Sequence, residues 1–365
     1  MATFTGQLKS NEIFASLFNM IISQQVFANN LEVKKNSLVE MARVDGSMYG
    51  DTKLYYATDA LKSTKWGNDA EAENLLKLHR PKAPDVQAIR IDTFRYIPLT
   101  IDNYLTKRAW MDEGAFTSFN SVMLSWMRET KDIYDMTTYN AFIGTAVSEV
   151  ATENITIDLT TATTGLTGDE KARTEAQVIG EKVSDMLVEL EDATRDYNDY
   201  GNLRTYSRDK LIFVWNAKAI SKIQKRDLPT MFHKDELIEK FGEYVMPEKY
   251  FGTINTTQKT GDGTTIRSLV EQDVTKSGAA DKHVFAGELI PKDYVAPAGT
   301  SYTIDTNVLF KVYHIGPNSV PFMSGFEAET SFFNPLSLTE NHYLIWGHNT
   351  LEYLKNYPFI TVKKA

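Results

Sequence analysis

Residues 81–146 read PKAPDVQAIRIDTFRYIPLTIDNYLTKRAWMDEGAFTSFNSVMLSWMRETKDIYDMTTYNAFIGTA, and two kinds of periodicity follow one another in this stretch. Residues 86–102 are rich in β-branched and aromatic side chains with an alternating pattern, which predicts a strand. Between Gly114 and Gly144 there is no further glycine or proline, and side chains that suit a buried face recur every three or four positions: Phe116, Phe119, Met123, Trp126, Thr130, Ile133 and Thr137. This spacing predicts one amphipathic helix of roughly 40 Å, with Trp126 on its buried face.

The chain before this stretch is predicted to be an arm followed by a long loop. Residues 1–40 carry a short helical stripe and then a polar segment, so they are too short and too polar for a domain. Residues 48–84 mix charges with lone aromatic residues and show no sustained period, over a length that compact domains rarely leave without structure. We expect a projecting hairpin whose returning arm is the strand at 86–102.

The chain after the helix is predicted to be mixed α/β and then strand-rich. The threonine-rich residues 154–170 are typical of turns, and Thr167 with Glu170 has the spacing of a capping box before a second helix. The buried face of that helix is predicted at Ala176, Ile179, Val183, Leu187, Leu190 and Thr194. Residues 211–215 form a continuous apolar strand, and Asn216 is a suitable N-cap for a following helix. From Thr303 onward strands predominate.

Composition excludes several classes of protein. The 365 residues suggest two or three structural units, and 39 basic against 48 acidic residues give a net charge of −9. This acidic balance argues against a surface that grips nucleic acid phosphates. The absence of cysteine removes disulfides and thiolate chemistry. Because the apolar runs are short or interrupted by polar residues, we expect no membrane-spanning segment and no secretory leader.

Motifs for catalysis are weak, so we predict no enzyme, no cofactor and no metal site. The sequence TGDGTT at 260–265 lacks the lysine of a phosphate loop and is interpreted as a turn. His342 and His348 are six residues apart, which is not a spacing typical of metal ligands, and they are interpreted as ordinary hydrogen-bonded histidines. Paired carboxylates occur in charged helical segments and are interpreted as solvated faces.

Charge patterning in the loop indicates a protein-binding surface. Residues 51–85 interleave both signs of charge with aromatic side chains, a combination that anchors and aligns protein partners. The candidate inter-subunit contacts are Tyr55, Tyr56, Lys62, Lys65, Trp66, Glu71 and Arg80. An arm and a loop that cannot bury themselves within a monomer suit a self-assembling shell, in which each subunit reaches over its neighbours.

This order of elements resembles the Hong Kong 97-type major capsid protein fold of tailed bacteriophages. Residues 81–146 are similar to the loop-return strand and spine helix of major head proteins from small short-tailed phages, the podoviruses and picovirus-like phages. Weaker similarity lies in LIFVWNAKAISKI at 211–223, in HVFAGELIPKDYV and in NTLEYLKNYPFITVKK. The resemblance implies an α+β fold with an N-terminal arm (1–40), an extended loop with its returning strand (41–98), a peripheral domain (99–150 and 300–365) and an axial domain (151–299).

The resemblance also implies a function and partners. It implies a structural subunit that forms pentamers and hexamers of an icosahedral head, assembled in the host cytoplasm with a scaffolding protein and a portal protein. The resemblance further implies that the subunit contacts packaged double-stranded DNA weakly and without sequence specificity. Some members of the family join a loop lysine to an asparagine of a neighbour, but no motif here selects such a pair, and we expect noncovalent locking. The alternatives are a tail-tube or other self-assembling virion component, and a cytoplasmic enzyme with a dispersed site.

Overall fold

The computed structural model describes residues 37–46, 50–63, 78–102, 113–219, 242–315 and 319–365. The helices of these ranges are α1 (Leu38–Ala42), α2 (Glu113–Thr145), α3 (Leu159–Ala162) and α4 (Gly168–Glu191). The first strands are β1 (Arg43–Asp45), β2 (Thr52–Ala57), β3 (Asp85–Asp102), β4 (Asn154–Ile157), β5 (Leu211–Asn216) and β6 (Gly242–Met246). Short strands follow: β7 (Gly252–Ile254), β8 (Lys259–Thr260), β9 (Ile266–Ser268), β10 (Gln272–Val274), β11 (Lys282–Val284), β12 (Val295–Ala296) and β13 (Ser301–Ile304). The last strands are β14 (Val308–His314), β15 (Phe322–Asn334), β16 (Thr339–Asn349) and β17 (Phe359–Lys364).

The first large sheet contains the predicted strand, which is confirmed as β3 and runs for 18 residues. The strand order is β1-β15-β16-β3-β2, with β1 parallel to β15 and the other pairs antiparallel. Along β3, odd-numbered residues such as Ile89 and Ile91 are buried, while even-numbered residues such as Val86 and Tyr96 are exposed. One face of this sheet therefore covers the core, and the other faces outward.

The predicted long helix is confirmed as α2, with 33 residues, but the prediction for Trp126 is wrong. Trp126 is 47% exposed, whereas Met127 and Tyr134 are buried and pack with Leu344 and Trp346 of β16. Met123 and Thr137 of the predicted stripe are buried, so the core face departs from the prediction around Trp126, where the adjacent Met127 is buried instead. Part of the core face is polar, so the spacing of apolar residues does not indicate it. Lys131 is buried there, and its ammonium group pairs with Glu327 at 3.0 Å and with Asp135 at 3.6 Å.

The second large sheet is covered on both faces. Its order is β4-β17-β14-β5-β6, and all six residues of β5 are buried, which confirms the predicted apolar strand. Leu211, Phe213 and Trp215 pack on the side of α4, while Ile212 and Val214 pack on the side of the C-terminal half of α2. Alternating side chains thus serve two cores, which is why the strand is apolar throughout. The turn-like character predicted for residues 154–170 is not observed at their start, because Asn154–Ile157 pair in parallel with β17.

The predicted N-cap residues of the helices are in the expected places, but not every one makes the capping hydrogen bond. Thr167 is the N-cap of α4 as expected, yet its side chain makes no capping hydrogen bond. The predicted apolar face of α4 is buried from Ala176 to Leu190, but Thr194 lies beyond the helix and pairs with Arg204. Asn216 accepts a hydrogen bond from the backbone N–H of Lys218 at 3.1 Å, as an N-cap does. Residues 217–219 are helical, and the rest of that predicted helix lies outside the described residues.

Small strands between residues 252 and 304 form a separate β layer. These strands form three small sheets with the strand orders β7-β13-β9, β10-β11 and β12-β8. The predicted turn at 260–265 is confirmed: Gly263 has φ of +71°, and the Asp262 carboxylate accepts from the backbone N–H groups of Thr264 and Thr265, both at 2.8 Å. These bonds, with the Thr265 hydroxyl, hold the pKa of Asp262 well below its usual range. None of the helices in the described ranges is long and apolar enough to cross a membrane.

Candidate assembly surfaces

The predicted contact residues divide between the two sides of the hairpin that β2 and β3 form. Tyr56 is 65% exposed on the outward face. Its neighbour Tyr55 is half-buried and packs on the inward side against a cluster that contains Ile89 and Met323. Tyr55 therefore anchors the hairpin to the subunit's own core, and its part in an inter-subunit contact stays a prediction. Lys62 and Arg80 are exposed on the two sides of the loop, and Lys65, Trp66 and Glu71 lie outside the described residues.

The base of the hairpin is fastened to the body through the loop that follows α4. The Asp59 carboxylate accepts from the Arg195 guanidinium at 2.8 Å and from the Leu203 backbone N–H at 3.0 Å. These donors hold the pKa of Asp59 well below its usual range. The Arg204 guanidinium donates to the Thr58 carbonyl at 2.6 Å. The hairpin thus begins from a fixed base, while the predicted projection concerns the part beyond residue 60.

A second set of contacts fastens the other strand of the hairpin. Gln87 is buried on β3, where its amide nitrogen donates to the Tyr353 carbonyl at 3.1 Å. Its amide oxygen accepts from the Lys355 N–H at 2.9 Å. The Asn202 amide donates to the Asp85 carboxylate at 3.2 Å. Because both strands are bound to the body, the direction of the hairpin is set by the subunit itself.

The outward face of the hairpin carries apolar side chains that nothing covers within the described residues. Leu54 is 52% exposed and lies opposite Ala88, and Tyr56 lies opposite Val86, which is 50% exposed. Directly paired side chains are neighbours on one face of a sheet. These four residues therefore form one contiguous apolar patch, which we call the hairpin patch. Contiguous exposed apolar patches mark sites of protein contact.

A second exposed surface lies farther along the same sheet, beyond exposed Arg90 and Asp92 and beyond the register irregularity between Ile91 and Thr93. Tyr96 is 64% exposed and its ring lies 6.4 Å from that of Tyr343, while Phe332 on β15 is 66% exposed. We call this surface the aromatic face, and strand pairing defines its members: Tyr96, Pro98, Thr100, Ala328, Thr330, Phe332, Asn341, Tyr343 and Ile345. The opposite face of the same strands bears Glu327 and Glu329, which pair with Lys131 and Arg128 of α2. Over the span of the aromatic face, charge is thus confined to the side that faces the helix.

The turn between β15 and β16 adds exposed apolar side chains at the end of this sheet. Leu336 is 96% exposed, Phe333 is 50% exposed and Leu338 is 43% exposed. The Asn334 side-chain oxygen accepts from the Leu336 N–H at 3.0 Å, and Leu338 has φ of +54°. The turn is held in a defined shape while presenting apolar groups, an arrangement that suits insertion into a partner surface.

Sequence reasoning did not select Tyr96, Phe332 or Leu336 as contact residues. A signal for Tyr96 was present, since the alternation that buries Ile89 and Ile91 also turns the even-numbered positions of β3 outward. The only feature of the sequence that indicated Leu336 is that it is an apolar residue within a predicted turn. Phe332 needed the pairing of β15 with β16, which joins it to Asn341 and which sequence did not provide.

The histidines that were considered as metal ligands are separated by the sheet geometry. His342 and His348 lie six residues apart on β16, roughly 20 Å at the rise of an extended strand. The His348 ring bonds with the Tyr134 hydroxyl at 2.8 Å and with the Asn349 carbonyl at 2.8 Å, and burial lowers its pKa to about 4. Among the described residues, no three histidine or acidic side chains converge as metal ligands.

Comparisons with known proteins agree with this architecture. The model of the Phi29-like phage major capsid protein family matches residues 3–360. A chain in the capsid structure of Staphylococcus phage Andhra superposes with a TM-score of 0.61 at 11% identity, covering 93% of this chain and 87% of that one. A chain in a structure of the head fiber and inner core protein of native bacteriophage P68 superposes with a TM-score of 0.54 at 11% identity, covering 100% of this chain and 94% of that one.

The comparison with curated protein sequences gives no match. At 11% identity the two structural likenesses show the fold, which is the Hong Kong 97-like fold expected from the sequence. The family match carries the identity, because it spans nearly the whole length that contains the long helix, both large sheets and the outward face. This chain belongs to the Phi29-like phage major capsid protein family.

Proposed function

We propose that this subunit of an icosahedral phage capsid joins its neighbours through the hairpin patch and the aromatic face, forming pentamers and hexamers. Membership of the family makes the chain a structural component of the virion shell. The observation that carries the proposal is the uncharged character of these two surfaces of one sheet, on which Tyr56, Tyr96 and Phe332 are strongly exposed. Large exposed apolar patches on a protein surface mark sites of interaction.

The energetic argument concerns the area that an isolated subunit leaves in water. Tyr56, Tyr96 and Phe332 are each about two-thirds exposed. An aromatic side chain presents roughly 150–250 Å², so burying the exposed remainder of each contributes on the order of 2–4 kcal/mol. Repeated at every contact in a shell, such increments drive assembly without any covalent link. This supports noncovalent locking between subunits.

The hairpin base supports the same proposal by limiting flexibility. Ion pairing of Asp59 with Arg195 and the Gln87 contacts orient the hairpin before a partner arrives. A preoriented element loses less conformational entropy on binding. We propose that Lys62 and Arg80, exposed beyond this base, contribute charge complementarity that selects the register between neighbours. Lys65, Trp66 and Glu71 stay predictions of the sequence.

We propose a division of the chain into arm (1–40), extended loop (41–98), peripheral domain (99–150 and 300–365) and axial domain (151–299), with one adjustment. Strands β14 and β17 lie between β4 and β5 in the second large sheet. That pairing supports counting both strands with the axial domain, although they belong to the C-terminal segment of the chain.

The remaining partners follow from the role of a shell subunit. We propose a scaffolding protein and a portal protein as assembly partners, and weak nonspecific contact with packaged double-stranded DNA. The net charge of −9 supports weak contact, because the basic side chains that would bind phosphates are fewer than the acidic ones that repel them. We also propose that the subunit has no enzymatic activity.

The proposal is tested by placing a charge on the aromatic face. Tyr96→Lys should leave the subunit folded, because the side chain is exposed, but should prevent closed shells from forming. The matched control is Gln177→Lys, which adds the same charge at an exposed position of α4. Melting temperature and circular dichroism report folding, and sedimentation velocity reports assembly. Closed shells from Tyr96→Lys at wild-type yield would contradict the proposed contact.

A further inference from the structure

Two carboxyl groups meet at the junction between the end of α2, strand β17 and the loop that follows α4. Glu153 has no exposed surface, and Ser148 is 3% exposed. The Ser148 hydroxyl and the Phe359 N–H approach the Glu153 carboxyl, but within the part of the chain that the structure describes no donor bonds either Glu153 oxygen at ordinary hydrogen-bond distance and angle. Asp199 Oδ1 is also buried without a hydrogen-bond donor among the described residues. An ionised carboxylate is costly to bury without donors or a counter-charge, so a second ionised carboxylate nearby makes this arrangement unfavourable.

The Ser148 hydroxyl connects the members of this junction. It interacts with the carboxyl groups of Glu153 and Asp199 and with the Tyr353 hydroxyl. The Tyr353 hydroxyl also donates to Asp199 Oδ2 at 3.2 Å. One small hydroxyl thus lies among three ionisable side chains. Glu153 and Asp199 are therefore close enough for the charge of one to oppose ionisation of the other.

The groups around Glu153 supply little positive charge. Its surroundings carry Asp199, Tyr197 and Tyr206 from the loop after α4, Tyr353 and Lys355 from the segment before β17, and Glu149 beside Ser148. Lys355 is exposed, and its charge acts on Asp199. Burial, with the Asp199 charge adding to it, raises the pKa of Glu153 to about 7 against the opposing effects of Ser148 and the Phe359 N–H. Burial likewise raises the pKa of Asp199.

We infer that Glu153 and Asp199 hold one proton between them at neutral pH, and that this buried proton locks the base of the hairpin to the body. The mechanical link is short. The Asp199 N–H donates to the Lys355 carbonyl at 2.9 Å, and the Lys355 N–H donates to Gln87 Oε1 at 2.9 Å. Loss of the proton leaves two negative charges around Ser148, which repel and push the Asp199 loop away from residues 353–355. The contacts that hold Gln87 on β3 weaken as a result.

The direction of the pH effect follows from the two states of Glu153. In the unfolded chain this carboxyl titrates near its ordinary pKa of 4.5, and in the folded subunit it titrates near 7. Between these values the folded state holds more protons than the unfolded state, so its stability falls as pH rises from about 4.5 to about 7. Above that range both states are ionised and the effect is constant.

The test compares melting temperatures of the unassembled full-length subunit from pH 5 to pH 8.5. Glu153→Gln imitates the neutral carboxyl, so it should melt roughly 3–5 °C above wild type at pH 8 and show no advantage at pH 5. Glu149→Gln is the matched control, because Glu149 is exposed and four residues away, and its difference from wild type should not change with pH. Asp199→Asn removes the like charge and should move the wild-type transition to lower pH.

Two further measurements apply to the wild-type subunit if Glu153→Gln does not fold. Hydrogen exchange at the amides of Asp199 and Lys355, corrected for intrinsic rate, should accelerate in wild type above pH 7. The infrared band of a protonated carboxyl should be present at pH 6 and lost by pH 8.5. A Glu153→Gln variant that is equally destabilised at every pH, or no protonated band at pH 6, would overturn the inference. So would stabilisation of wild type by calcium that EDTA reverses, since a bound cation would then replace the proton.

This inference concerns the single subunit and does not rest on the proposed assembly surfaces. The melting and exchange measurements use unassembled protein, so a failed assembly assay leaves them interpretable.

Discussion

Replacing Tyr56 by serine should weaken assembly without weakening the subunit. Tyr56 is 65% exposed on the outward side of β2, and its partner across the sheet, Val86, is exposed as well. A tyrosine side chain presents roughly 200 Å², of which about 130 Å² is therefore in water, and burying that area contributes on the order of 3 kcal/mol at 25 cal/mol per Å². Incomplete burial lowers this figure, so each subunit contact should weaken by roughly 10- to 100-fold.

The assay is sedimentation velocity over a series of subunit concentrations. Tyr56→Ser should raise the concentration at which shells appear by roughly 10- to 100-fold, with the melting temperature of the free subunit unchanged. Tyr56→Phe keeps the ring and should assemble as wild type does. The neighbouring substitution Tyr55→Ser should instead lower the melting temperature, because Tyr55 packs inward. Assembly of Tyr56→Ser at the wild-type threshold would refute the reasoning.

Two further predictions concern the core. Trp346→Ala should destabilise the subunit by about 3–5 kcal/mol because Trp346 is 4% exposed beneath α2, whereas Trp126→Ala should cost less than about 1 kcal/mol; chemical denaturation of the two variants distinguishes them. Burial lowers the pKa of Lys311 from 10.5 to about 7, so the folded state is neutral where the unfolded state is charged, and stability should rise between pH 7 and pH 9.5. Lys311→Met should remove this rise, and equal slopes of melting temperature against pH in both proteins would contradict it.

Local periodicity predicted those elements whose burial pattern is carried by apolar residues alone. Strand β3 alternates regularly, and the face of α4 from Ala176 to Leu190 is apolar at every expected position. The buried face of α2 was misplaced around Trp126 because Lys131 and Asp135 occupy core positions as an ion pair, and the periodicity of apolar residues does not include them. Short strands such as β4 escaped prediction because their pairing partner lies more than 200 residues away.

The exposure of the predicted contact residues agrees with the structure only in part. Interleaved charge and aromatic residues indicated a contact surface near Tyr56, and the structure turns this side chain outward. The opposite orientation of Tyr55 followed from the register with Gln87 on β3, which sequence alone does not fix. The junction of Ser148, Glu153 and Asp199 was beyond prediction, since the fold brings together residues from two separate segments.

The central claim is that the subunit builds closed shells through its outward sheet face. The most direct measurement is electron microscopy of the purified full-length protein, expressed with and without its scaffolding candidate. We predict closed shells of uniform diameter in at least one preparation, with β2, β3 and β16 of each subunit covered by a neighbour. Discrete monomers or dimers in both preparations, or shells in which the hairpin patch and the aromatic face stay exposed, would contradict the account.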